Sequence, residues 1–142
     1  MPYSSGPISP AQLAQDAQDL ITLTNQDRAA NGLAPLTVNP VLMQLAQERA
    51  NAMAQDNYFS HDSPVYGWPI QMETKAGFSA LSLGAENIAE GGSPAGMNAE
   101  FMNSAPHRAN ILGTGFALVG IGVAELPSGG LVCSELFSGP TY

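Results

Sequence analysis

Two hydrophobic periods follow one another along the chain, and the change from the first to the second divides it. Ser9-Pro10 sets a capping hydroxyl before a proline suited to the first helical position. Leu13, Ala17, Leu20, Ile21 and Thr24 then recur at the spacing of one helical face. The pattern predicts a helix that stops at Asn31-Gly32, a pair suited to the left-handed turn after a helix. Residues 33–39 form a proline-containing connection, and Asn39-Pro40 repeats the start signal. Leu42, Leu45, Ala46, Ala50 and Met53 mark the buried stripe of a second helix reaching about Asn57, with Gln44, Gln47, Glu48 and Asn51 facing outward.

Residues 58–67 read as a loop rich in Ser, Asp, His and Pro, followed by a short helix from Pro69 to Ala76 that Gly77 closes. Leu83 to Ala89 is expected to be extended, and Gly91-Gly92 breaks it. Ser93-Pro94 is a third cap-plus-proline start, leading a helix through Met97, Phe101 and Met102. Pro106 is expected to end that helix, leaving a short turn from His107 to Leu112. From Ala117 the period becomes two. Val119, Ile121 and Val123 alternate with Leu118, Gly120 and Gly122, and Leu131, Cys133, Glu135 and Phe137 alternate with Val132, Ser134, Leu136 and Ser138. With Pro127-Ser128-Gly129-Gly130 between them, the two runs predict a β-hairpin. Helices first and an antiparallel pair last give an α+β class in one domain, residues 9–142, behind a flexible arm of residues 1–8.

Charge narrows the partners. Four Lys and Arg stand against twelve Asp and Glu, for a net charge of −8, and Arg28, Arg49, Lys75 and Arg108 are scattered. Nucleic acids and anionic membranes draw binding energy from clustered cations, so neither is an expected partner. The apolar stretch from Phe116 to Val123 is broken by Gly120 and Gly122 and is too short to span a bilayer. Cys133 is the one cysteine, which excludes an internal disulfide, and its mid-strand position suits a small core residue better than a nucleophile. There is no His-Glu-x-x-His helix, no phosphate-binding Walker loop and no Cys-x-x-Cys pair. Gly91-Gly92-Ser93-Pro94-Ala95 misses the nucleophile-elbow pattern at its last position.

The remaining chemistry lies in loops. His61 follows Tyr58-Phe59-Ser60, and His107 follows Ser104-Ala105-Pro106; neither falls on an apolar stripe. Each is open to two readings, a site group or a solvated loop residue. Glu86 is embedded in Leu83-Gly84-Ala85-Glu86-Asn87-Ile88-Ala89. A carboxylate buried there needs a partner: a histidine, backbone amides or a metal. Glu135 shares a strand face with Leu131, Cys133 and Phe137, so either that face is exposed or the carboxylate points into a site.

Four segments taken together carry a family likeness. They are Asn25-Gln26-Asp27-Arg28 with Asn31-Gly32-Leu33-Ala34-Pro35-Leu36; Leu45-Ala46 through Tyr58-Phe59-Ser60-His61; Gly84-Ala85-Glu86-Asn87-Ile88-Ala89; and Met102-Asn103-Ser104-Ala105-Pro106-His107-Arg108-Ala109-Asn110-Ile111-Leu112. In that order they resemble the bacterial branch of the CAP superfamily, which also holds cysteine-rich secretory proteins, antigen 5 and the plant pathogenesis-related proteins of class 1. The resemblance covers roughly residues 15–138. It implies a three-layer α-β-α sandwich around a small antiparallel sheet, secretion or surface display, and a leader removed from the mature chain. A monomer is expected. In that family two His and two Glu line a groove. His61, Glu86 and His107 match three of them, while the second Glu would fall near Ser104 and is missing. Phe101 stands where the family has a helix Trp, and Cys133 and Glu135 stand where the bacterial pattern has Trp and Gln.

The resemblance thus implies a groove holding His61, His107 and Glu86, with Asn87, Ser104, Asn110 and Glu135 as further lining residues. Two imidazoles and a carboxylate suit Zn²⁺ or another divalent cation with a position left for water; without metal they form an acid–base cluster. Three functions stay open. One is a binding module for a small-molecule or cell-surface ligand (lipid, glycan or peptide). Another is a metal-assisted hydrolase or peptidase with Glu86 as general base. The third is a structural or adhesive surface domain.

Overall fold

The computed structural model describes residues 7–79 and 84–140. Its elements are α1 (Pro10–Ala30), β1 (Thr37–Val38), α2 (Pro40–Gln55), α3 (Pro69–Lys75), β2 (Ala85–Gly91), α4 (Pro94–Met102), α5 (Ala105–Ile111), β3 (Leu118–Glu125) and β4 (Leu131–Ser138). Residues 1–6 of the expected arm, and Leu83 at the start of the expected strand, lie outside the described residues. Ile8, inside that arm, is tied down: its backbone N–H donates to Glu125 at 2.8 Å.

The three cap-plus-proline starts form as the sequence indicates. Ser9 Oγ accepts from Gln12 N, Asn39 Oδ1 from Val41 N and Leu42 N, and Ser93 Oγ from Gly96 N. Pro106 behaves differently from expectation. It opens α5 instead of ending a helix, because the residue after Ala105 sits in a first turn where a missing N–H costs nothing. His107 is therefore helical, and Asn103 is the residue that closes α4.

The four strands lie in the order β1-β3-β4-β2. β4 is antiparallel to both β3 and β2, and the two-residue β1, unforeseen in the connection after α1, pairs parallel to β3. Alternation along β3 sorts the core. Val119, Ile121 and Val123 pack with Ala17, Leu20, Met97, Phe101 and Ile111 from α1, α4 and α5. The opposite face carries Gly120 and Gly122, where any Cβ would collide with the α2 backbone at Leu42–Met43 and at Ala46–Gln47. These two glycines let α2 lie flat on the sheet, with α3 beside it. The result is a sandwich: α2 and α3 on one face, α1, α4 and α5 on the other.

Gln47 corrects a further expectation. It turns inward from α2, donating to Val123 O at 2.8 Å and accepting from Val123 N at 3.2 Å. Its amide thereby pairs β3 backbone groups beyond the reach of the short β1, which satisfies polar groups that burial would otherwise leave costly.

Candidate functional site

Strand β2 positions the site, since neighbouring residues on a strand point to opposite faces. Glu86 faces α2 and Asn87 faces α5. The register places Glu86 opposite Leu136 and Asn87 opposite Glu135.

On the α2 face Glu86 is saturated with donors. Arg49 of α2 gives Nε to Oε2 at 2.9 Å and Nη2 to Oε1 at 2.8 Å. Ser134 Oγ donates to Oε2 at 2.7 Å, and His61 Nδ1 lies 2.8 Å from Oε1. A carboxylate offers about four acceptor positions, and these contacts fill them. Burial alone would raise the Glu86 pKa, but the bonds from His61 and Arg49, the guanidinium charge and Ser134 together hold it below the ordinary value. Arg49 also donates to Ser60 O at 2.9 Å and Tyr58 Oη at 3.3 Å, tying the loop that carries His61 to the helix beneath it. Because the carboxylate can only accept, His61 Nδ1 carries the proton of their bond, and Nε2 is the ring's remaining polar atom. The imidazole side chain is 43% exposed.

Over this cluster lies a shallow cavity of about 240 Å³ lined by His61, Glu73, Glu86, Gly84 and Ala85, with Trp68, Pro69 and Ile70 as an apolar wall. Glu73 went unmarked in the sequence. It is buried on α3, its Oε2 has no hydrogen-bond partner, and burial, then the nearby Glu86 charge, push its pKa up to about 7.

On the α5 face Asn87 organises a second network. Its Nδ2 donates to His107 O at 3.1 Å and to Glu135 Oε1 at 3.3 Å, and its Oδ1 accepts from Asn110 Nδ2 at 2.8 Å. The His107 ring is held by Ser104 Oγ, 2.8 Å from Nδ1, and by Phe101 with ring centroids 5.3 Å apart. Glu135, like Asn87, is fully buried, so both underlie the surface instead of lining it. Burial, resisted by the Asn87 bond and reinforced by Asp27, raises its pKa to about 8. Arg28 anchors this side by donating to Ala34 O, Ile111 O and Gly113 O, which fixes the C-terminal end of α5 to α1.

The structure thus brings His61 and Glu86 together and gives His107, Ser104, Asn87, Asn110 and Glu135 their own network across β2. The donor set does not fit an ion shared by His61, His107 and Glu86. Both Glu86 oxygens are committed to Arg49, Ser134 and His61. Among the described residues no three His, Cys, Asp or Glu side chains are grouped to hold a metal.

Comparison with known proteins places the chain in a family. A family model described as the cysteine-rich secretory protein family, CAP, matches residues 21–136. The chain is 36% identical over 118 residues to the uncharacterized protein YkwD of Bacillus subtilis, spanning 82% of this chain and 46% of that protein. It is 31% identical over 108 residues to the uncharacterized membrane protein YlbC of the same organism, spanning 75% of this chain and 31% of that protein. Among solved structures, an extracellular protein containing a SCP domain from Bacillus anthracis superposes with a TM-score of 0.75 at 28% identity, over 95% of this chain and 47% of that one. An outer surface protein from Borrelia burgdorferi reaches 0.81 at 18% identity, over 97% of this chain and all of the other, a likeness of fold alone. The chain therefore spans less than half the length of the two curated relatives.

Proposed function

Because the chain belongs to the cysteine-rich secretory protein (CAP) family, we propose that it is an extracytoplasmic binding module whose recognition element is the cavity over His61 and Glu86. The observation that carries this reading is the state of Glu86. A general base needs a free lone pair within reach of the proton it takes, and all of this carboxylate's acceptor positions are engaged by groups of the chain itself. Glu86 acts as the clamp that orients His61, and the half-exposed ring is left to meet a ligand. The apolar wall of Trp68, Pro69 and Ile70 beside a few fixed polar groups matches the make-up of small-molecule sites. No helix among the described residues is long and apolar enough to cross a membrane. The extracellular relative from Bacillus anthracis supports a location outside the cytoplasm.

Amide chemical-shift mapping with a soluble glycan, a short-chain lipid and a peptide mixture tests the reading. Shifts centred on His61, Trp68, Ile70 and Glu73, and lost in His61→Ala, are expected for one of the three. Shifts centred on the α5 face, or none with any of them, overturn it.

A further inference from the structure

We propose that the cavity takes one uncharged sugar ring, stacked on the indole of Trp68 with a ring hydroxyl bonded to His61 Nε2. The proposal rests on the binding role given above to the same cavity and adds the chemistry of the ligand.

Charge decides the class first. Arg49 is fully buried and spent on Glu86, Ser60 and Tyr58, so an anionic ligand finds no free guanidinium or ammonium among the lining residues. Arg28 is likewise consumed by backbone carbonyls on the far side of the sheet. A cationic ligand fares no better. The Glu86 side chain is 2% exposed with its charge cancelled by Arg49, and Glu73 is 3% exposed. What faces outward is one imidazole edge next to an aromatic face.

The aromatic face is displayed deliberately by the chain. Among the described residues, five of the seven exposed large hydrophobic side chains lie between Phe59 and Ile70, with Trp68 at 51%. Local bonds hold them there at the cost of leaving apolar surface in water. Ser63 Oγ accepts from Val65 N and Tyr66 N, Ser63 and Gly67 exchange two backbone bonds of 2.9 Å, and Trp68 N donates to Gln71 Oε1 at 2.8 Å. Gly67 has φ +76°, and a side chain there would strike Gln71 Oε1.

A sugar ring has the matching asymmetry. Its C–H face lies on the electron-rich face of an indole, while its hydroxyl edge meets a hydrogen-bonding group. A steroid or an acyl chain has a hydroxyl or head group as well, but its hydrocarbon body needs cover. At about 240 Å³ the cavity is smaller than the roughly 300–1,000 Å³ of pockets that enclose such molecules.

Trp68 is the chain's only tryptophan, so its emission reports on the site directly. The whole chain is titrated with cellotetraose, maltotetraose and the tetramer of N-acetylglucosamine, and separately with monomeric dodecylphosphocholine. At about 10 mM sugar, a Kd of 1 mM gives near saturation. A saturable emission change is expected with at least one sugar. His61→Ala should weaken it tenfold or more while His61→Gln keeps part of it, and Trp68→Ala should abolish the calorimetric signal in a chain that still unfolds cooperatively. If only the detergent binds, and binding depends on His61, the sugar proposal falls and the binding role stands. If no probe of either class binds, the sugar proposal falls, and the binding role falls with it only when the peptide mixture also leaves the His61 cavity unshifted. Sugar binding untouched by either substitution overturns the site.

Discussion

Arg49 and Glu86 form a closed pair across the sandwich, joined by two nearly parallel bonds of 2.9 and 2.8 Å, with neither side chain more than 2% exposed. Guanidinium and carboxylate match in this two-point geometry, and lysine would not reproduce it. The pair fastens helix α2 to strand β2, and through Ser60 it sets where His61 stands.

Breaking one half of this pair leaves the other charged and buried. Arg49→Met is expected to lower stability by about 3–5 kcal/mol, read as a shift of the urea midpoint at constant slope. Arg49→Met combined with Glu86→Leu should recover most of that loss, since two apolar groups leave no unpaired charge. A single substitution costing less than about 1 kcal/mol would mean that the pair is solvated in solution and does not clamp the loop.

Much of this architecture is legible in the sequence because its signals are local. A cap followed by proline, an apolar stripe and a hairpin breaker act within a few residues, and the three helix starts and the terminal hairpin formed accordingly. Pro106 misleads because proline both ends one helix and opens the next, and only the packing of α5 against β2 decides between them. The partner of Glu86 was hidden by distance, 37 residues away. A signal for it existed, however. Arg49 falls on the stripe of Leu42, Leu45, Ala46 and Met53, and an arginine on a buried stripe calls for an acid. Glu73 gave no such signal, because α3 is too short for its period to separate a buried face from an exposed one. The spacing of His61 and His107 also could not reveal that Glu86 holds the His61 ring while Asn87 takes only the backbone carbonyl of His107.

The buried carboxylates give stability two opposite dependences on pH. Glu135 and Glu73 have folded pKa values raised to about 8 and about 7, so the folded chain keeps protons that the unfolded chain has released above the ordinary value of 4.5. Stability therefore falls as pH rises from 4.5 towards 8. Glu86 has a lowered folded value, so its contribution is complete above the ordinary range and is lost as pH falls below it. Glu135→Gln removes the larger of the raised shifts. It should leave stability near pH 5 almost unchanged and raise it near pH 9, in urea titrations at both values. Equal effects at the two pH values would show that Glu135 is ionised throughout.

The contact of β3 with α2 leaves no room for a side chain at Gly122, where a Cβ would meet Gln47 and Ala46 backbone atoms. Gly122→Ala must push a helix off a sheet and not simply turn a rotamer. A loss of about 1–3 kcal/mol or more is expected. Gly92→Ala, at a position with open space around its Cβ, serves as the control and should stay within about 0.5 kcal/mol. Differential scanning calorimetry of the two variants decides the point. If Gly122→Ala melts with the control, the helix is not seated as closely as its glycines require.

Cys133 supplies a probe of that packing from within. It is fully buried in the middle of β4 between Leu131 and Phe137, and its pKa is pushed well above the ordinary thiol value, first by burial and then by Glu135. A thiol reacts as its thiolate and needs access, and the folded chain denies it both. A disulfide reagent should therefore label Cys133 only through unfolding, at a rate that stays constant once reagent is in excess and rises with urea. Arg49→Met and Gly122→Ala should accelerate labelling, while His61→Ala, which removes a half-exposed ring, should leave it near the wild-type rate. Rapid labelling of the unaltered chain in water would show that β4 opens on its own, and the buried networks of Glu86 and Asn87 would then lose the strand on which both depend.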